Sequence, residues 1–298
     1  MSTSLKQHGI VVGVDGSAES CAAVGWAAQE AAMRNLPLTL VHTLNAFVPT
    51  FPQVPLPAGV AVWQEEDAQR VLEDAAKLAQ DVVEGDRNIA ISMDMRCAPA
   101  APTLIDMSED AAMVVVGSHG RGAAGRAVLG SVSSGVLHGA ACPVAVIRDY
   151  DQRSAHELRR VAAPVVVGID GSPVSELATA IAFDEAACRG VDLVAVHAWT
   201  DLDAADLPGL DWPAIRSEVE EVLAERLAGW QERYPDVTVH RVVSCGRPAQ
   251  ALLEHANSAQ LVVLGSHGRG GLKRMLLGSV SHAVVHSTHT PIIVARPT

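Results

Sequence analysis

Two stretches of this chain have the residue types of an anion cradle. Gly117-Ser118-His119-Gly120-Arg121-Gly122-Ala123 follows the apolar run Met113-Val114-Val115-Val116, and nine residues separate Gly120 from Gly130-Ser131-Val132-Ser133. Gly265-Ser266-His267-Gly268-Arg269-Gly270-Gly271 follows Leu261-Val262-Val263-Leu264, and the same nine-residue gap leads to Gly278-Ser279-Val280-Ser281. A strand that ends in a glycine loop and then opens a helix turns several backbone N–H groups toward one place, and the helix dipole favours negative charge there. The chemistry on offer is phosphate binding. Each stretch also has an acidic counterpart: Gly13-Val14-Asp15-Gly16-Ser17 ends one apolar run, and Gly168-Ile169-Asp170-Gly171-Ser172 ends another.

These pairs belong to a longer internal repeat. Leu40-Val41-His42 matches Ala195-Val196-His197, and His138 and Pro143 match His286 and Pro291. The second copy runs shorter between its second strand and its glycine loop. The unit is far longer than the roughly 50 residues of a solenoid repeat, so the chain reads as a duplicated domain. The expected boundaries are a first domain over 1–150, a polar linker over 151–162 and a second domain over 163–298.

Apolar runs alternate with helical patterns in each copy. The first copy predicts a strand over 9–14, a helix over 18–34 with Ser17 as its N-cap, and a strand from Leu38 to His42. A loop carrying Pro49, Pro52, Pro55 and Pro57 cannot be regular structure. A helix from about Val62 to Glu84, a strand from Ile89 to Met95 and a short helix to about Asp110 follow. After the glycine loop come a helix from Ser131 to Gly139 and a strand from Val144 to Ile147. The second copy repeats this order, with a helix over about 214–233 and a last strand from Ile292 to Ala295. The fold class is therefore α/β: two tandem doubly wound five-stranded parallel-sheet domains, Rossmann-like. If strands one and four are neighbours, in the order 3-2-1-4-5, Asp15 and the Gly117 loop meet in the crevice at the strands' C-terminal ends, where such sheets bind ligands.

Composition agrees. The chain has 298 residues, enough for two domains of about 150, and is 49% hydrophobic but only 3% aromatic. Its cores must be built from Val, Leu, Ile and Ala, which suits parallel strands buried on both faces. A net charge of −12 argues against a nucleic-acid or anionic-membrane binder. No apolar run is long enough to span a membrane, and the first one stops at Asp15, so no signal peptide is expected. Five cysteines without a C-x-x-C pair fit a reducing cytoplasm. Cys97 and Cys245, at equivalent positions, read as small buried residues near strand ends.

The doubled Asp-Gly-Ser opening and the spaced glycine motif resemble the ATP-binding universal stress proteins, over nearly the whole chain and in the tandem form common in actinobacteria. This resemblance implies an adenine-nucleotide-hydrolase-like sheet with one ATP, accompanied by Mg²⁺, in each domain. It implies that Asp15 and Asp170 accept hydrogen bonds from ribose or nearby backbone. It implies that Gly13 and Gly168 let adenine approach the strand, and that Val41 and Val196 read the adenine edge through their backbone. The loops 117–123 and 265–271 would wrap ribose and phosphates, with glycines giving close approach and positive φ. Ser131, Val132 and Ser133, with Ser279, Val280 and Ser281, would offer hydroxyl and N–H donors to phosphate. Asp201 is a further ribose or adenine contact. His119, His267, Arg121 and Arg269 are either phosphate contacts or solvated turn residues. His42 and His197 read as local hydrogen-bonding residues, and Trp26, Trp63, Trp199, Trp212 and Trp230 as core or interface.

Other chemistries lack their motifs. There is no G-x-x-x-x-G-K-[ST], no H-E-x-x-H, no zinc spacing and no G-x-S-x-G. A literal G-x-G-x-x-G at Gly120, Gly122 and Gly125 is broken by Lys273 in the second copy, so it does not signal a dinucleotide site. Without a P-loop lysine or an evident base, the expectation is a nucleotide-dependent regulator of stress response or growth arrest. Its alternatives are a slow ATPase or phosphotransferase and an AMP or cyclic AMP sensor. The apolar last strands are expected at sheet edges, which the resemblance uses to join the two copies. A homodimer and a separate protein partner are also expected.

Overall fold

The computed structural model describes residues 8–44, 58–83, 88–121, 129–148, 162–198, 212–268 and 277–297. The proline loop at 49–57, all but the last residue of the expected linker, and Gly122, Ala123, Trp199, Asp201, Arg269, Gly270 and Gly271 lie outside them. The chain divides into two compact units, Met1–Asp149 and Tyr150–Thr298.

The first unit runs β1 (Gly9–Gly13), α1 (Ala18–Arg34), β2 (Leu38–Thr43), α2 (Ala58–Val82), β3 (Ile91–Arg96), α3 (Ala100–Met107), β4 (Ala111–Gly117), α4 (Ser131–Gly139) and β5 (Val144–Ile147). Its strands are parallel in the order β3-β2-β1-β4-β5, with Val11 level with Val114 and Val12 with Val115. The second unit runs β6 (Val165–Ile169), α5 (Pro173–Arg189), β7 (Leu193–Ala198), α6 (Trp212–Arg233), β8 (Val239–Ser244), α7 (Pro248–Ala256), β9 (Leu261–Gly265), α8 (Ser279–Ser287) and β10 (Ile292–Ala295). Its order is β8-β7-β6-β9-β10, again parallel. Both units thus have the 3-2-1-4-5 order read from the sequence.

The central strands are buried on both faces because helices cover each side. In the first unit α1 packs on α2, and α3 packs on α4. Ile10, Val11, Val12, Val114 and Val115 are wholly inaccessible to solvent. Edge strand β3 has no neighbour on its outer side among the described residues, and its residues are half-buried or exposed. This corrects the reading of Cys97 and Cys245. Both are exposed, because they follow the edge strands β3 and β8, where the covering layers thin out.

Helix starts obey local rules twice over. The Ser17 side chain caps α1 by accepting the Ser20 N–H at 3.2 Å, and Ser172 caps α5 by accepting the Ser175 N–H at 3.2 Å. The two helices stop in left-handed residues, Asn35 at φ 52° and Gly190 at φ 64°, the usual C-terminal device. Helix α2 begins at Ala58, four residues before the expected Val62. Trp26 is core, and Trp230 stacks on Phe183 with ring centroids 5.9 Å apart. Of the two roles expected for it, core or interface, Trp63 does not take the first. It is 60% exposed, because α2 turns that face toward the strand ends rather than the sheet.

Candidate functional site

The neighbouring C-terminal ends of β1 and β4 open a cleft of about 640 Å³ in the first unit. Helices α1 and α2 leave on one side and α3 and α4 on the other, so this is where the winding reverses. Most of the predicted residues of the first copy that the structure describes line it: Gly13, Asp15, Val41, Gly117, His119, Gly120, Arg121, Gly130, Ser131, Val132 and Ser133. Ser118 lies behind, fully buried.

Asp15 is the hub. One carboxylate oxygen accepts the Ser17 N–H at 2.9 Å and the Ser17 hydroxyl at 2.6 Å. The other accepts the Arg121 N–H at 2.9 Å. Burial pushes the Asp15 carboxyl up, but the hydrogen bonds from Ser17, Arg121 and Ser20 together outweigh it and hold the group below the ordinary carboxylate value. Asp15 therefore carries a charge and ties the glycine loop to the start of α1.

The loop is pinned at both ends. The Ser118 N–H donates to the Ile147 carbonyl at 2.8 Å, and the Gly130 N–H donates to the Ser118 carbonyl at 2.8 Å. Ser118 Oγ and His119 Nδ1 share a hydrogen bond of 2.9 Å. His119 Nε2 is buried without a hydrogen-bond partner among the described residues, a cost normally met by a ligand or water. Arg121 reaches across to Asp67 on α2, with Nη1 3.1 Å from Oδ2. Ser131 is exposed at the N-terminus of α4, where backbone N–H groups have no partner within the helix.

Several of the expected site residues also have partners within the fold. The Ser133 hydroxyl donates to the Gly117 carbonyl at 2.6 Å, and the Ser281 hydroxyl to the Gly265 carbonyl at 2.6 Å. They fasten helix to strand. A β-carbon at Gly13 would lie 2.9 Å from Leu104, and one at Gly168 would lie 2.5 Å from Leu264. Each of these glycines thus gives room to a neighbouring leucine. Among the described residues, no glycine of the two glycine loops is left-handed, whereas Gly16 and Gly171 in the Asp-Gly-Ser turns are, both at φ 78°. The loop glycines serve close approach instead: a β-carbon at Gly120 would stand 2.5 Å from Asp15 Oδ2. The Val41 carbonyl already accepts the Val14 N–H at 2.8 Å, so a base would have to use its second lone pair.

The second unit repeats this framework. The Asp170 carboxylate accepts the Ser172 N–H at 2.9 Å, and its other oxygen lies against Gly268. Ser266, 1% exposed, shares a 3.1 Å hydrogen bond with His267 Nδ1, and the Gly278 N–H donates to the Ser266 carbonyl at 2.8 Å. Val196 is buried on β7 beside Gly168, while Ser279 and Val280 open α8. His42 and His197 each hold a strand-end carbonyl through Nδ1 at 2.6 Å, of Val14 and Ile169 respectively. Both therefore act locally, as the sequence indicated.

Among the cleft residues that sequence reasoning did not assign to the site are Trp63, Gln64 and Asp67. They lie on one face of α2, and the Trp63–Asp67 spacing of one helical turn was their only signal.

The family model described as the Universal stress protein family matches residues 8–148 and 163–296, one match per repeat. The chain belongs to the universal stress protein family. Two universal stress proteins of Mycobacterium tuberculosis are similar to it over 296 residues, at 57% and 50% identity, with 99% of either chain covered. One from Mycolicibacterium smegmatis is 51% identical over 299 residues, covering all of both chains. The crystal structure of a universal stress protein from Archaeoglobus fulgidus shares the fold with a TM-score of 0.69 at 21% identity, covering 97% of this chain and 96% of that one. A Pseudomonas aeruginosa protein described as functionally unknown follows at a TM-score of 0.60 and 15% identity, covering 99% and 95%.

Proposed function

We propose that each unit of this universal stress protein holds one ATP, and that occupancy makes the chain a nucleotide-dependent regulator of stress response or growth arrest. The observation that carries this reading is the first cleft. A charged Asp15, a pinned glycine loop and the N-terminus of α4 converge at the topological switch point, in a volume that suits a mononucleotide. His119 Nε2, buried without a hydrogen-bond partner among the described residues, supplies a polar group there. Asp15 and Asp170 would hold ribose hydroxyls, and Ser131, Ser279 and the helix N–H groups would meet phosphate. No group of three or more candidate metal ligands occurs among the described residues, so Mg²⁺ would come with the phosphates, its common mode.

No lysine lines the cleft among the described residues, which supports holding ATP over rapid turnover and suggests micromolar affinity, about −8 kcal/mol. The regulatory reading also has the chain act as a homodimer, in the cytoplasm and through a protein partner. Among the described residues no helix is long and apolar enough to cross a membrane. Mass spectrometry of small molecules released from denatured, freshly purified protein tests the nucleotide assignment. ATP is the expected species; AMP or cyclic AMP alone would replace it with an adenylate sensor.

A further inference from the structure

The mouth of the first cleft carries an ion pair. Asp67, on α2, uses one carboxylate oxygen to hold Arg121 Nη1 at 3.1 Å and the other to hold Arg70 Nη2 at 3.1 Å. Arg121 belongs to the glycine loop, and its own N–H is fixed to Asp15 at 2.9 Å. Its guanidinium lies over Gly16, where a β-carbon would collide with Nη2. The backbone of Arg121 is thus tied to one side of the cleft, while its charge is neutralised from the other. Both Asp67 and Arg121 line the cleft with Gly130 and Ser131.

The second unit puts a guanidinium in the equivalent place from a different part of the chain. Arg226, on α6, presents Cζ, Nη1 and Nη2 each 2.8 Å from the position of a β-carbon on Gly171. Its partner is Glu176 on α5, at a looser 3.4 Å. A cation beside the left-handed glycine therefore recurs from unrelated residues, while its carboxylate partner differs in element and distance.

We propose that Asp67 is a specificity-determining residue: an internal anion that occupies Arg121 and is displaced only by a ligand carrying several phosphate charges. A half-exposed ion pair is weak in water, so a polyphosphate can exchange with it, whereas an uncharged nucleoside gains nothing from the exchange. Asp67 thereby weakens the binding of a polyphosphate and not that of an uncharged nucleoside, which sets how strongly the first cleft prefers ATP. This inference rests on the nucleotide reading of the cleft.

Equilibrium dialysis of the full chain with ATP and with adenosine tests it, using wild type, Asp67→Asn, Arg121→Gln and the double variant. Asp67→Asn is expected to tighten ATP binding about threefold and to leave adenosine binding unchanged. The gain should vanish in the Arg121→Gln background, because the two residues form one thermodynamic unit. An equal gain for adenosine, or no gain for ATP, would overturn the proposal. A gain that persists without Arg121 would also overturn it, showing simple repulsion between Asp67 and phosphate. Binding of neither ligand by any form would instead remove the nucleotide reading itself.

Discussion

Asp15 Oδ2 accepts the Arg121 N–H at 2.9 Å, and a β-carbon on the intervening Gly120 would stand 2.5 Å from that same oxygen. The loop can close on the carboxylate only while position 120 lacks a side chain. Gly120→Ala is expected to push the loop off Asp15, destabilising the protein by about 1–2 kcal/mol and weakening nucleotide binding together. Urea unfolding and a binding titration on the same sample would show both losses. Gly268→Ala should do likewise through Asp170.

Asp15 also gives folding a pH signature. Its carboxyl lies below the ordinary value of 3.8 because hydrogen bonds from Ser17, Arg121 and Ser20 overcome the opposing effect of burial. A depressed carboxylate stabilises the fold above its unfolded pKa, and the contribution is lost as pH falls through the folded pKa. The stability gap between wild type and Asp15→Asn should therefore be largest near neutrality and close below about pH 4. Denaturant melts at a series of pH values would reveal a constant gap if the hydrogen bonds carry no such linkage.

Ser131 and Ser133 should separate cleanly. Ser133→Ala leaves the Gly117 carbonyl without its buried donor, at a cost of about 1–3 kcal/mol, with little change in affinity. Ser131→Ala removes an exposed hydroxyl at the mouth of the cleft and should weaken binding while leaving the melting temperature in place. Thermal melts paired with calorimetry distinguish the two, and a reversed pattern would return Ser133 to the ligand.

Trp63 offers an optical readout. It is 60% exposed and lines the first cleft, whereas Trp26 is buried at 3%. Nucleotide binding should shift the intrinsic fluorescence, and Trp63→Phe should remove most of that shift without unfolding the protein.

Much of this architecture was legible in the sequence because local physics and tertiary structure agree. Runs such as Val114-Val115-Val116 suit strands buried on both faces, Ser17 and Ser172 announce their helices, and the repeat itself marks the two units. What stayed hidden depends on long-range packing. Nothing local shows that Leu104, on α3, fills the space beside Gly13. The charged face of α2 reads as solvated, so Trp63, Gln64 and Asp67 were invisible until the helix was seen crossing the strand ends. Glu30 and Glu185 are wholly buried, each beside an arginine one turn on, although an acidic residue in an Ala-rich helix reads as surface. The Ser133 hydroxyl resembles a phosphate donor by motif, and its nearer claim is a backbone carbonyl that only the fold brings within reach.

The proposed function requires two nucleotide sites of one design in a single chain. Isothermal titration calorimetry of the full chain with Mg²⁺ and ATP addresses it directly, with Asp15→Ala and Asp170→Ala alongside. Two ATP per chain are expected in wild type and one in each variant, at micromolar affinity. No binding heat at millimolar ATP, or a stoichiometry unmoved by both substitutions, would contradict it.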